Sequence, residues 1–238
     1  MSDARPPAGA RTVAEAQADL MNSTILLTGF EPFGGESVNP SWEIARTLDG
    51  WACDGRVVKA VLLPCAFGDA LRTLDDALAA HRPELVVCLG QAGGRAEISI
   101  ERAALNVDDA RIPDNLGRQP IDSAVVAGAP AAYFSTLPIK AIARDVRAAG
   151  VAAAVSNSAG TFVCNHVFYA LMHRLATTPA LADARGGFVH VPFTPQQVAG
   201  KTGVASMPLA SQVEGVRAVL RSAVATRADV RESAGQEH

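Results

Sequence analysis

The chain has 238 residues, a formal net charge of -3, and 49% hydrophobic but only 5% aromatic residues. That length permits one large domain or two small ones, and a core short of rings must be built from Val, Leu, Ile and Ala, as in an α/β protein whose sheet is covered. The charge balance excludes the basic face that a nucleic-acid or anionic-membrane partner requires, and no apolar run is long enough to span a bilayer.

The first twenty residues, "MSDARPPAGARTVAEAQADL", lack the continuous apolar segment of a secretory signal. Residues 1–22 read as a poorly ordered extension, with Met21 just before the first strand. "TILLTGF" (Thr24 to Phe30) is a buried strand. "PSWEIARTLDG" has helical spacing at Trp42, Ile44, Ala45 and Leu48, with Gly50 as its stop. "RVVKAVLLP" is the next strand, "FGDALRTLDDALAAH" a helix, and "PELVVCLG" a third strand. Further on, "AAYFSTLPIKAIARDVRAAG" reads as a helix, "VAAAVSNS" as a strand, "FVCNHVFYALMHRLA" as a helix and "GFVHVPF" as a strand. The last helix lies around "ASQVEGVRAVLRSAVATR", and residues 227–238 form a polar tail. Strands alternating with helices predict right-handed βαβ units and a mostly parallel sheet covered on both faces. No repeat, low-complexity block or linker interrupts residues 23–226, which read as a single domain.

In such a sheet the working site lies beyond the carboxyl ends of the strands. "GFEPFGG", "GQAGGR", "SNSAGTFVC" and "VPFTPQQ" all follow predicted strands, so they are expected to converge. "GQAGGR" lacks the Lys-Ser/Thr end of a P-loop and the GxGxxG spacing, which argues against nucleotide binding. The four cysteines, Cys53, Cys65, Cys88 and Cys164, form no CxxC pair and match no zinc template, which suggests free thiols in a reducing, cytoplasmic setting.

Cys164 falls near the start of a helix, where Ser158 or Thr161 is a possible cap. Unpaired N–H groups and a partial positive charge there favour thiolate and can bind an oxyanion. The alternative is a small buried hydrophobe. A nucleophilic thiol needs a base. His166 is two residues on and points to the opposite side of the helix, His173 is half a turn out of phase, and His81 sits at an exposed corner. Elimination leaves His190, at the end of an apolar strand. The acid that would orient it stays open among Glu101, Asp108, Asp109 and Asp114, since Arg102 and Arg111 can pair with any of them.

Four motifs in order, "TGFEPFGGESVNPSWEIA", "LGQAGGRAEISIERAALNVDDARIPDNLGRQPID", "VSNSAGTFVCNHVFYALMH" and "GFVHVPFTPQQV", with "STLPIK" between them, resemble the cysteine pyroglutamyl peptidases, also called pyrrolidone carboxyl peptidases. The resemblance spans about Thr24 to Arg221. It implies an open α/β/α sandwich, a homotetramer, no metal or cofactor, and removal of an N-terminal pyroglutamyl residue from peptides. It also implies a catalytic set of Glu101, Cys164 and His190, with Asp114 in support and Arg111 near the oxyanion. Substrate contacts would come from Phe30, Phe33, Gln91, Ile112, Phe162 and Val163. Two rival readings are an enzyme acting on another cyclic amide and a non-catalytic module that binds pyroglutamyl ends.

Overall fold

The computed structural model of the chain describes residues 23–235. Residues 1–22, read above as an extension, lie outside the described residues, as do the last three of the polar tail. Four strands form the parallel centre of the sheet, in the order β3 (Arg56–Leu63), β1 (Thr24–Phe30), β4 (Leu85–Gln91) and β8 (Arg185–Val191). β2 (Ala52–Cys53) adds antiparallel to β3. β5 (Ile98–Leu105) runs antiparallel to β8, and β6 (Ala132–Phe134) and β7 (Ala153–Ser158) both pair with β5. The helices are α1 (Pro40–Thr47), α2 (Asp69–His81), α3 (Ile139–Ala148), α4 (Val163–Thr177) and α5 (Leu209–Ala225).

The two faces of the sheet build two cores. Ile25, Leu27, Val87, Leu89 and Val189 pack with Ile44, Ile142 and Val216 of α1, α3 and α5. The alternate residues Leu26, Val86, Cys88 and Phe188 pack with Leu74 of α2 and with Phe168 and Leu171 of α4. The result is an α/β/α sandwich. β4 is buried along all seven residues, as the continuous apolar run of a central parallel strand requires. Each large side chain that α4 buries, such as Val167, Phe168 and Leu171, contributes roughly 1.5–3 kcal/mol, so packing rather than propensity holds this helix.

The segment after β1 is locked by short-range chemistry. Asn39 caps α1 through its Oδ1, which accepts from Ser41 N at 3.1 Å, and Pro40 begins the helix. Ser41 Oγ accepts from Phe30 N at 3.0 Å. A Cβ on Gly29 would stand 2.5 Å from Ser41 O, so only glycine lets α1 lie this close to β1.

The structure differs from the sequence reading in three places. "ISIERAAL" is a strand, β5, and it reverses the sheet direction next to β8. The helix predicted from Ala131 begins only at Ile139, because Pro138 precedes it and Ala132–Phe134 pair with Ala103–Leu105 instead. Neither Ser158 nor Thr161 caps α4. Phe162 is its N-cap residue, Ser158 Oγ accepts from Gly160 N, and Thr161 Oγ1 donates to Asp109 O. The polar tail is docked as far as it is described. Asp229 accepts from Lys140 N and Ala141 N at 2.9–3.1 Å, which caps α3, and Arg102 donates to Ala234 O.

Candidate active site

The four segments expected to converge do so. Gln197 Nε2 donates to Gln91 Oε1 at 2.8 Å and reaches Val38 O at 3.4 Å. Phe33 packs on Phe162, with ring centroids 6.2 Å apart. Arg95 reaches Ser158 O at 3.5 Å.

Face alternation selects the residues at the centre. His190 follows Phe188 by two, so it shares the face of β8 that α4 covers, and their rings lie 4.9 Å apart. Glu101 alternates with Ile98 and Ile100, which feed the opposite core, so it points to the same side as His190. Both are buried, Glu101 completely. Glu101 Oε1 and His190 Nδ1 are 2.7 Å apart. Gly90, beside His190 in the register, leaves room for Cys164: a Cβ there would lie 2.8 Å from Cys164 Sγ and 2.8 Å from the Phe188 ring. Cys164 as a residue is half-buried, but its Sγ is packed over Gly90.

Electrostatics follow from that packing. Burial raises the Cys164 thiol well above its ordinary range, Cys65, Glu101 and Cys88 add to the effect, and Arg95 opposes it. Burial thus works against the thiolate that the helix position favours. Burial also pushes Cys65 and Cys88 up to about 12. For Glu101, burial raises the carboxyl, but the hydrogen bond and charge of His190, then Arg95 and Ser156, hold it below the usual carboxylate range. An ionised Glu101 fixes the proton of His190 on Nδ1 and leaves Nε2 as the basic nitrogen. No described residue hydrogen-bonds Nε2.

The other acids have other tasks. Asp108 Oδ2 lies 2.7 Å from His166 Nδ1, and His166 Nε2 accepts from Gly68 N at 3.0 Å. His166 is thus buried and fully engaged away from Cys164. His173 bonds Tyr133 OH at 3.0 Å, and His81 is exposed. Asp114 is buried and accepts from Phe67 N, Leu116 N and Arg118 N, each at 2.8 Å, which fastens the 109–118 loop onto the segment before α2. Arg111 and Ile112 are exposed on that loop, and Asp109 is exposed as well. Phe30 is buried with its ring 6.4 Å from Phe188. Val163 turns into the core, so its backbone is what it can offer a ligand.

Two participants were not legible in the sequence. Phe67 stands edge-on to Phe162, 5.5 Å between centroids, and completes an aromatic wall with Phe33. Arg95 Nη1 donates to Glu101 Oε1 at 2.7 Å, the same oxygen that faces His190. The only sequence signal for Arg95 is an arginine closing a glycine-rich loop. Among the described residues no cluster of three or more His, Cys, Asp or Glu is placed to hold a metal ion.

Comparison with known proteins places this arrangement. The sequence model of the family described as pyroglutamyl peptidase matches residues 23–226. This chain belongs to the pyroglutamyl peptidase family. As a member it is a cysteine peptidase, and release of an N-terminal pyroglutamyl residue is the family's activity. A pyrrolidone-carboxylate peptidase of Cupriavidus necator is 59% identical over 215 residues, covering 90% of this chain and 99% of that one. One from Streptomyces coelicolor is 54% identical over 216 residues, with the same coverage. Among solved structures, pyroglutamyl peptidase I from Bacillus amyloliquefaciens superposes with a TM-score of 0.86 at 41% identity, over 89% of this chain and 99% of its own. A mutant pyrrolidone carboxyl peptidase from Pyrococcus furiosus gives 0.82 at 42% identity, over 85% and 98%.

Proposed function

We propose that Cys164 is the nucleophile of this pyroglutamyl peptidase, His190 its general base and acid, and Glu101 the group that orients the imidazole. The observation that carries this reading is the 2.7 Å Glu101–His190 bond on the face where Cys164 Sγ is packed over Gly90. Sγ attacks the pyroglutamyl carbonyl carbon as its proton passes to His190 Nε2. The imidazolium then gives that proton to the leaving amine, and water, deprotonated by the same nitrogen, hydrolyses the thioester. α4 has no side-chain cap, so its first N–H groups are left to receive the oxyanion, with exposed Arg111 nearby on its loop and Asp114 holding that loop in place.

The substrate ring is small, flat and uncharged, with one lactam N–H and one C=O. Phe30, Phe33 and Phe162 suit its faces, and Gln91, Ile112 and the Val163 backbone complete its surroundings. An uncyclised glutamate or a free α-amine would be stripped of water without a partner, a penalty worth about a thousandfold in discrimination. Residues 23–226 form the peptidase domain in this reading. A cytoplasmic setting is supported by four free cysteines, and the family resemblance supports a homotetramer, for which exposed Leu116, Ile121 and Phe134 offer apolar surface. Ultracentrifugation of the full chain reads the assembly.

The test is fluorophore release from pyroglutamyl-aminomethylcoumarin beside its prolyl and glutaminyl analogues, with Cys164→Ser as the blank. Release from the pyroglutamyl compound alone, absent in the blank, is expected. Undiminished release by Cys164→Ser would overturn the assignment, and release from the prolyl compound would overturn the ring reading.

A further inference from the structure

Glu101 is fully buried, and a carboxylate in that position needs charge compensation. His190 supplies it only while the imidazole carries a second proton, whereas Arg95 supplies it throughout. Its Nη1 donates to Glu101 Oε1 at 2.7 Å, while its own side chain is 30% exposed. The pair is therefore not a solvated surface bridge, because one partner has no access to water. Arg95 Nη1 and His190 Nδ1 converge on the same oxygen of Glu101, so turning that oxygen away loses both bonds. The second arm of the guanidinium reaches Ser158 O at 3.5 Å, on the stretch that leads into α4 and Cys164.

We propose that Arg95 is a positioning residue for the reaction: its forked guanidinium fixes the Glu101 carboxyl, and through it the His190 ring, relative to the end of β7 that leads into α4 and Cys164. This rests on the roles given above to Cys164, His190 and Glu101. A lysine at this position would keep the charge but could not bond in two directions from one plane. The charged and titratable groups that act on Glu101 and Cys164 are His190 of β8, Arg95 of the 92–97 loop, Cys88 of β4 and Cys65 after β3, beside each other. Burial raises all three thiols, which leaves Arg95 as the permanent cation beside the Glu101–His190 pair. Removing it makes proton uptake by that pair easier, whichever of the two carries the proton, and the acid limb of the rate profile moves to higher pH.

The experiment compares wild type, Arg95→Met and Arg95→Lys on pyroglutamyl-aminomethylcoumarin from about pH 5 to 9. Arg95→Met is expected to lower kcat by about tenfold to a hundredfold, to change KM by less than about threefold, and to move the acid limb of kcat/KM up by about one pH unit. Arg95→Lys is expected to restore the acid limb and only part of kcat. A Met variant with wild-type kcat and acid limb, or one that raises KM alone, overturns the proposal. If Arg95→Met does not fold, Arg95→Lys decides: lowered kcat with an unmoved limb supports the fork, and wild-type kcat overturns it. Failure of both variants to fold also overturns it, since Arg95 would then serve the fold. Imidazole NMR titration of His190 in a Cys164→Ser background separates this proposal from the functional reading. An upward shift in Arg95→Met supports it even if the wild type cleaves none of the substrates, and no shift overturns it.

Discussion

Two histidine–carboxylate pairs of the same length are buried among the described residues, and they do opposite things. His190 faces Glu101 at 2.7 Å and His166 faces Asp108 at 2.7 Å, each through Nδ1. The difference is at the other nitrogen. His166 Nε2 accepts from Gly68 N, so that ring is closed: it ties α4 to the start of α2 and has no lone pair to offer. His190 Nε2 has no partner among the described residues and lies on the face where Cys164 Sγ is packed. A histidine beside an acid is thus no signature of catalysis by itself. The free nitrogen is what separates a base from a brace.

The sharpest way to break this comparison is to remove each ring. His190→Ala should lower kcat by on the order of a thousandfold, with the fold kept. His166→Ala should keep turnover within about tenfold but lose about 3 kcal/mol of stability, because Asp108 is left buried and unpaired. Steady-state rates and denaturant unfolding on both variants check this, and an inactive but fully stable His166→Ala would reverse the two roles. Glu101→Gln should follow His190, with kcat down by about a hundredfold or more from the wrong tautomer, while Asp108→Asn should follow His166 and show its cost in melting temperature. Alkylation sharpens the picture of the thiol. With the Cys164 thiol raised by burial, inactivation by iodoacetamide should be slow near neutrality and climb about tenfold per pH unit into the alkaline range. A rate that is flat above pH 7 would mean a standing thiolate. The smallest effect concerns acid stability. Glu101 sits below its unfolded value of about 4.3, so its contribution is complete above that pH and is lost as pH falls through the folded value. The stability gap between wild type and Glu101→Gln should therefore narrow on acidification, as melting curves at successive pH values would show.

Much of this architecture is written in short-range pattern. β1, β4 and β8 are apolar runs with clear ends, and spacing and elimination make Cys164 and His190 candidates that the family resemblance then selects. Glu101 stays one of four acids until the resemblance selects it, because an isolated "ISIERAAL" segment with acids and arginines reads as an ion-pair stretch. Its alternation of Ile98 and Ile100 with Ser99 and Glu101 becomes decisive only once it is placed as a strand, and its reversed direction depends on β8, ninety residues away in the chain. The late start of α3 was hidden for a similar reason: Ala132–Phe134 are extended by pairing with β5. The burial that raises the Cys164 thiol was hidden because a helix end is a local feature, whereas Phe188 and the space above Gly90 come from other strands. Arg95 lay beyond reach because a loop arginine acquires meaning only from what it touches.

The carboxylate of Asp229 carries a lesson about where this protein ends. The match to the family's sequence model ends at residue 226, yet Asp229 holds the first turn of α3 from three residues further on. A chain trimmed to the shared stretch would keep every group of the reaction and leave that turn bare, at a cost of about 1 kcal/mol. The border of the matched stretch and the border drawn by mechanics are different lines here, and a shortened enzyme should reveal the gap first as a lower melting temperature at unchanged kcat.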